Sequence, residues 1–229
     1  MHGRTTVTQR QRPDRAADAQ RIRPVGWWFD ALLLVAFAAI TAALAAGWLY
    51  GLDTAVYQWC HAHRPPAAYW TARALNFLGN GGPLTAICAV LALTLAVRRR
   101  SIRPILPVMF AFVLTVVAIT PLKMWTNRAA PSSNRADSVE IFNQLPPEEY
   151  SWSYPSGHLV NTIVWYGVLA LLLAPWLSRT ARLWLRVAPP AIVFCTTVYL
   201  DFHWLTDSIS GVLLGVFLYR LIARIPWRL

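Results

Sequence analysis

Residues 102–125 read IRPILPVMFAFVLTVVAITPLKMW. Between Arg103 and Lys123 no residue carries a charge. A helix rises about 1.5 Å per residue, so this stretch can cross the roughly 30 Å hydrocarbon core of a bilayer. The run sets the class of the chain: an all-α protein whose solvent is lipid. Its two ends differ. Arg103 belongs to a cluster of arginines, whereas Lys123 is the only lysine in the chain.

Working outward, further apolar runs occupy residues 27–52, 67–97, 157–177, 188–204 and 209–222. Together with 102–125 they predict a polytopic membrane protein, a six-transmembrane-helix bundle. Gly79-Asn80-Gly81-Gly82-Pro83 interrupts the 67–97 run. Its first part is therefore read as a short peripheral extracytoplasmic helix and its second part as the span. Trp27, Trp28, Trp48 and Tyr50 are placed to anchor the first span at the interfaces. Residues 1–24 are polar and arginine-rich, and read as a disordered cytoplasmic tail. Residues 25–229 form the six-span membrane domain. Residues 53–66 are mixed in character and are expected outside, near the surface. Residues 126–153 are polar, contain proline and are too long for a simple turn, which marks a functional loop. Pro146-Pro147-Glu148-Glu149 within it is expected to shape what the loop selects.

The chain is 56% hydrophobic and 14% charged, where soluble domains carry about 25% charged residues. The net charge is +11, nearly all of it arginine. Nucleic-acid binding would collect that charge on one soluble face. Here the arginines punctuate apolar runs, which excludes a nucleic-acid partner and fits orientation in a membrane. Arg98, Arg99, Arg100 and Arg103 mark one loop; Arg179, Arg182 and Arg186 mark another. Arg220, Arg224 and Arg228 close the chain, and six arginines precede the first span. By the positive-inside rule these segments, and both termini, are cytoplasmic. Lys123, His158, His203 and Asp207 then fall together on the extracytoplasmic face of the cell membrane. Cys60, Cys88 and Cys195 show no CxxC spacing. Cys88 and Cys195 read as small buried hydrophobes, and Cys60 as a thiol outside the membrane.

Three groups of residues on that face carry chemistry. His203 and Asp207 stand at i, i+4, where a carboxylate can hold an imidazole in one tautomer. The plainer reading is an interfacial ion pair. Ser153-Tyr154-Pro155-Ser156-Gly157-His158 opens an apolar run. Ser and Pro start helices, and the free amides of a helix start attract anions. Ser156 adds a hydroxyl donor and His158 a proton donor; the plainer reading is a capped helix. Lys123 offers a compact ammonium for a phosphate oxygen; the plainer reading is a lysine snorkelling to the interface. Arg128 and Arg135 follow it in the loop.

In this order the three groups resemble the motifs of the type-2 phosphatidic acid phosphatase family. Its first motif is Lys, six residues, Arg-Pro; Lys123 and Pro131 match it. Its second, Pro-Ser-Gly-His, is matched completely by Pro155, Ser156, Gly157 and His158. Its third is Ser-Arg, five residues, His, three residues, Asp; His203 and Asp207 match it. The resemblance implies an integral-membrane phosphatase for a lipid phosphate or a polyprenyl (di)phosphate, using neither metal nor cofactor. It implies that His203 becomes a phosphohistidine, that Asp207 orients it and that His158 protonates the leaving group. It also implies that Lys123, Ser156 and Gly157 grip the phosphate. Both family arginines are missing: Ala130 stands in the first motif, and Thr196-Thr197 replace Ser-Arg in the third. Arg128, two residues before the vacated place, is expected to reach the same oxygens. The alternative is a non-hydrolytic lipid-phosphate binder or transporter on the same fold.

Overall fold

The structure is a computed structural model that describes residues 26–133, 135–143, 152–227 and 229. The tail at 1–24 and Pro146–Glu149 lie outside the described residues. The described residues form eight α-helices: α1 (Trp27–Ala45), α2 (Tyr50–Ala62), α3 (Pro66–Asn76), α4 (Gly81–Arg99), α5 (Ile105–Thr126), α6 (Gly157–Leu172), α7 (Arg179–Tyr199) and α8 (Leu205–Arg224). Single 3₁₀ turns at Phe77–Gly79 and Pro131–Ser133 join α3 to α4 and follow α5.

Among the described residues α1, α4, α5 and α8 are long and apolar enough to cross a bilayer, and α6 is a shorter apolar helix. α7 carries Arg179, Arg182 and Arg186 in its first half, then Pro189 and Pro190. Lipid explains the outer surface. α5 exposes Met109, Phe110, Phe112, Val113, Val116 and Val117, a patch that water would penalise heavily. α6 is instead buried nearly all round. It packs against α4, α5, α7 and α8 and supplies Val160, Val164, Trp165 and Leu172 to the core. A helix that is apolar on every side belongs at the centre of a bundle.

α8 is laid against α6 with no side chain between the backbones. A Cβ on Gly211 would meet the Ser156 carbonyl oxygen at 2.8 Å, and one on Gly215 would meet Val160 Cα at 3.1 Å. This small-xxx-small stripe lets two helices approach at backbone distance. It places the first turn of α8 beside the start of α6, where the Ser156 amide donates to the Asp207 carbonyl at 3.0 Å.

The expected bounds shift in three places. The first run ends at Ala45, and the chain turns through Gly47 at φ 75°. Residues 50–62, divided in the sequence reading between the end of the first span and the surface segment 53–66, form α2, which packs on α7 and α8. Two short helices, α2 and α3, therefore stand where one was expected. The 188–204 run ends at Tyr199, and Asp201 turns the chain at φ 60°. His203 thus precedes α8 and does not share a helix face with Asp207. The cysteines are also exchanged: Cys60 is buried and Cys195 is exposed.

A buried carboxylate ties each end of α8. At its C-terminal end Asp30 of α1 accepts from Arg220 at 2.6 Å and from Arg224. Those guanidiniums also lie over the rings of Phe29 and Trp27. The other tie belongs to the site.

Candidate active site

Five segments converge at the N-terminal ends of α6 and α8. They border an open cavity of about 530 Å³ whose lining includes Lys123, Trp152, Ser153, Gly157, His158 and His203, with Asn80, Asn161, Ser132 and Phe202 also in the wall. That volume lies within the usual range for a small-ligand site.

The two histidines touch. His158 Nδ1 lies 3.2 Å from His203 Nε2. Their tautomers follow from Ser153. Its hydroxyl donates to Asp207 Oδ2 at 2.6 Å and lies 3.2 Å from His203 Nδ1. A carboxylate only accepts, so the single hydroxyl proton goes to Asp207, and Ser153 Oγ accepts from His203 Nδ1–H. The lone pair of neutral His203 is left on Nε2, toward His158. The direct His203 Nδ1–Asp207 Oδ2 separation is 3.8 Å, too long for a hydrogen bond. Ser153 is the link. Burial pushes the His203 imidazole below its ordinary 6.5, against the pull of the Asp207 negative charge, which raises it.

Behind Asp207 stands Arg128. Its side chain is fully buried, and it donates at 2.6 Å to Asp207 Oδ1 and at 2.6 Å to Asp53 Oδ2. It also bonds Thr206 Oγ1 at 2.8 Å and the Val139 carbonyl at 3.0 Å. Asp53 accepts in turn from the Thr206 hydroxyl at 2.6 Å and the Thr206 amide at 3.0 Å. Burial pushes the Asp53 carboxyl up, against the attraction of Arg128.

The structure thus brings Lys123, Gly157, His158 and His203 to one cavity, with Asp207 one hydroxyl behind. Arg128 and Ser156 do not join them. The expectation that Arg128 grips phosphate is corrected by its partners: two carboxylates and a carbonyl hold the guanidinium on the far side of Asp207. Ser156 is likewise fully buried, and its hydroxyl caps α6 by accepting from the Leu159 amide at 3.4 Å. The stem of Lys123 lies against Gly157, and its ammonium donates to the Trp152 carbonyl. The amides of Gly157 and His158, first in the helix, have no intrahelical acceptor. Sequence reasoning assigned no role to Ser153, Asp53, Asn161 or Asn80. Asn161 had a usable signal, since it stands three residues after His158 on the same helix face.

The PAP2 superfamily model matches residues 104–229, which hold every motif residue described above. The chain belongs to the PAP2 superfamily. It is 32% identical over 106 residues to phosphatidylglycerophosphatase B of Bacillus subtilis (strain 168), covering 44% of this chain and 47% of that protein. The match spans about half the length of that relative. A crystal structure of a transmembrane PAP2 type phosphatidylglycerolphosphate phosphatase from Bacillus subtilis superposes with a TM-score of 0.70 at 23% identity. It covers 84% of this chain and 93% of the other. That likeness, covering more of the chain than residues 104–229, carries the shared fold beyond the matched segment.

Proposed function

We propose that this PAP2 protein is a membrane lipid-phosphate phosphatase that works through a phosphohistidine. One observation carries the reading: the two imidazole nitrogens of His158 and His203 lie 3.2 Å apart at the wall of a cavity that also holds Lys123. Such a pair can serve a single phosphorus atom as acid and nucleophile. His203 Nε2 attacks phosphorus, the bond from phosphorus to the lipid alcohol oxygen breaks, and that oxygen takes a proton from His158. Water then attacks the phosphohistidine, His158 accepts the water's proton, and inorganic phosphate leaves with His203 neutral again. Lys123 and the amides of Gly157 and His158 hold the phosphate oxygens. Ser153 and Asp207 hold the tautomer, and Arg128 with Asp53 holds Asp207.

A phosphorus atom does not fit within a 3.2 Å gap. The incoming phosphate therefore takes the place of the bond between the rings. The arginine distribution supports an extracytoplasmic cavity, with the lipid entering from the outer leaflet. The named relative makes phosphatidylglycerol phosphate the first substrate to try; polyprenyl diphosphates come second.

A binder or transporter of lipid phosphates is favoured by one observation. With Ala130 and Thr197 at the motif positions and Arg128 turned inward, Lys123 is the only Lys or Arg among the described residues lining the cavity. Phosphate release by purified protein separates the readings. Wild type is expected to release inorganic phosphate and to show an alkali-stable phosphohistidine on His203. His203→Ala is expected to lower release by at least about 10³-fold. Binding of lipid phosphate with no release by wild type overturns the hydrolytic reading.

A further inference from the structure

Five Lys or Arg residues stand at the site end of the molecule among the described residues: Arg64, Arg73, Lys123, Arg128 and Arg135. Three are consumed by carboxylates. Arg64 forms a two-bonded pair with Asp201 at 2.7 and 2.6 Å, Arg128 pairs with Asp53 and Asp207, and Arg135 pairs with Asp137. Lys123 is in the cavity. Among the described residues no carboxylate pairs with Arg73. It is exposed in the last turn of α3 and held by rings: its Cζ lies 6.0 Å from the centroid of Tyr69 and 5.6 Å from that of Phe202. Phe202 lines the cavity and stacks on His158, with ring centroids 6.2 Å apart. Arg73 and the proposed acid therefore pack on the same aromatic ring.

Part of the cavity wall is polar and uncharged. Asn80 caps the start of α4 and Asn161 follows His158 by one turn of α6. Both line the cavity, and among the described residues neither side-chain amide bonds to the protein. Amides left open on a cavity wall suit hydroxyl and ester oxygens of a ligand.

We propose that Arg73 forms a second anion subsite, for the phosphodiester of a lipid whose headgroup bears a terminal phosphate on a short hydroxylated linker. Asn80 and Asn161 face that linker. The inference rests on the hydrolytic reading above and narrows its substrate. A diphosphate joins its two phosphorus atoms through one oxygen, which would crowd both anions onto Lys123. A three-carbon polyol sets the second phosphate more than twice as far from the first, past Phe202 of the cavity wall toward Arg73, which packs on that ring. The amphipathic α3 exposes Trp70 and Leu75, and Phe77 just after it is exposed too, side chains suited to the interface where a phosphodiester sits when its acyl chains are in the bilayer.

The test uses the full chain in mixed micelles and three substrates: phosphatidylglycerol phosphate, phosphatidic acid and farnesyl diphosphate. Wild type is expected to prefer the first. Arg73→Gln is expected to lower the ratio of kcat/KM for phosphatidylglycerol phosphate to that for phosphatidic acid by about tenfold, a change of about 1.4 kcal/mol. The loss should fall mainly on KM, with Arg73→Lys restoring part of it. Asn161→Ala should move the same ratio in the same direction. Equal losses on both substrates, or none on either, overturn the subsite and leave the phosphatase reading standing. A wild-type preference for farnesyl diphosphate also overturns it. If wild type releases phosphate from none of the three, the hydrolytic reading falls and the subsite with it.

Discussion

The two ends of α8 hold the same pieces in opposite proportion. At the site end one arginine, Arg128, is shared by two buried carboxylates, Asp53 and Asp207. At the other end one carboxylate, Asp30, is shared by two arginines, Arg220 and Arg224. Each cluster locks α8 to another part of the bundle, so both are structural. They differ in surplus and in neighbours. The site end keeps an excess negative charge, and it is passed through Ser153 to the imidazole that, as the proposed nucleophile, becomes positive when it attacks. The opposite end keeps an excess positive charge beside aromatic rings in the arginine-rich part of the chain, which suits a membrane surface. The lesson is that a buried ion pair acquires chemical meaning from the sign left over and the group that receives it.

Arg128→Met is the strongest way to break this contrast. It leaves Asp53 and Asp207 buried face to face without a cation, which costs about 3–5 kcal/mol. Thermal unfolding should register that loss. Phosphate release should fall by more than about 10²-fold as Asp207 loses its hold on Ser153.

Lys123→Met comes next and separates grip from orientation. Losing a cation that faces the developing charge is expected to lower kcat by about 10²–10³-fold with the fold intact. The residual activity should also change its pH dependence. As the proposed nucleophile His203 attacks only when neutral, so activity is expected to fall as pH drops through its pKa. Burial and the nearby ammonium both hold that pKa below 6.5. Removing the ammonium removes one downward push, so the acid limb of kcat/KM should move to higher pH. An acid limb that stays in place or moves lower would show that Lys123 does not act on His203.

Arg220→Gln is the smallest change and sharpens the comparison from the other side. Arg220 is part-exposed and Asp30 keeps Arg224. Melting should fall by no more than about 1 kcal/mol, and phosphate release should stay within about twofold. A loss like that of Arg128→Met would mean that the two ends are not distinct in role.

Much of this arrangement was legible before any coordinates. The uncharged run before Lys123 announced a membrane helix, and Pro155-Ser156-Gly157-His158 announced a helix start that presents an imidazole. His203 and Asp207 were found as partners, but their spacing suggested a shared helix face. The turn at Asp201 replaces that with a loop histidine reached through Ser153. Arg128 was visible as a charge near the motif, yet spacing along a chain does not tell toward which side of Asp207 a guanidinium turns. Asp53 gave no signal, because it pairs with a residue 75 positions away and its segment reads as surface chain. α2 was missed for a related reason: its apolar face is set by packing on α7 and α8, and no charge-free run reveals it.

The bare seam at Gly211 and Gly215 has a consequence for how this architecture can vary. His158 follows Ser156 on one wall of that seam, and His203 is carried by the segment entering the other. A single methyl at 211 would strike a main-chain oxygen, and the two imidazoles would move apart with the helices. Their separation is therefore gauged by two missing side chains in the packed seam between α6 and α8, outside the cavity lining.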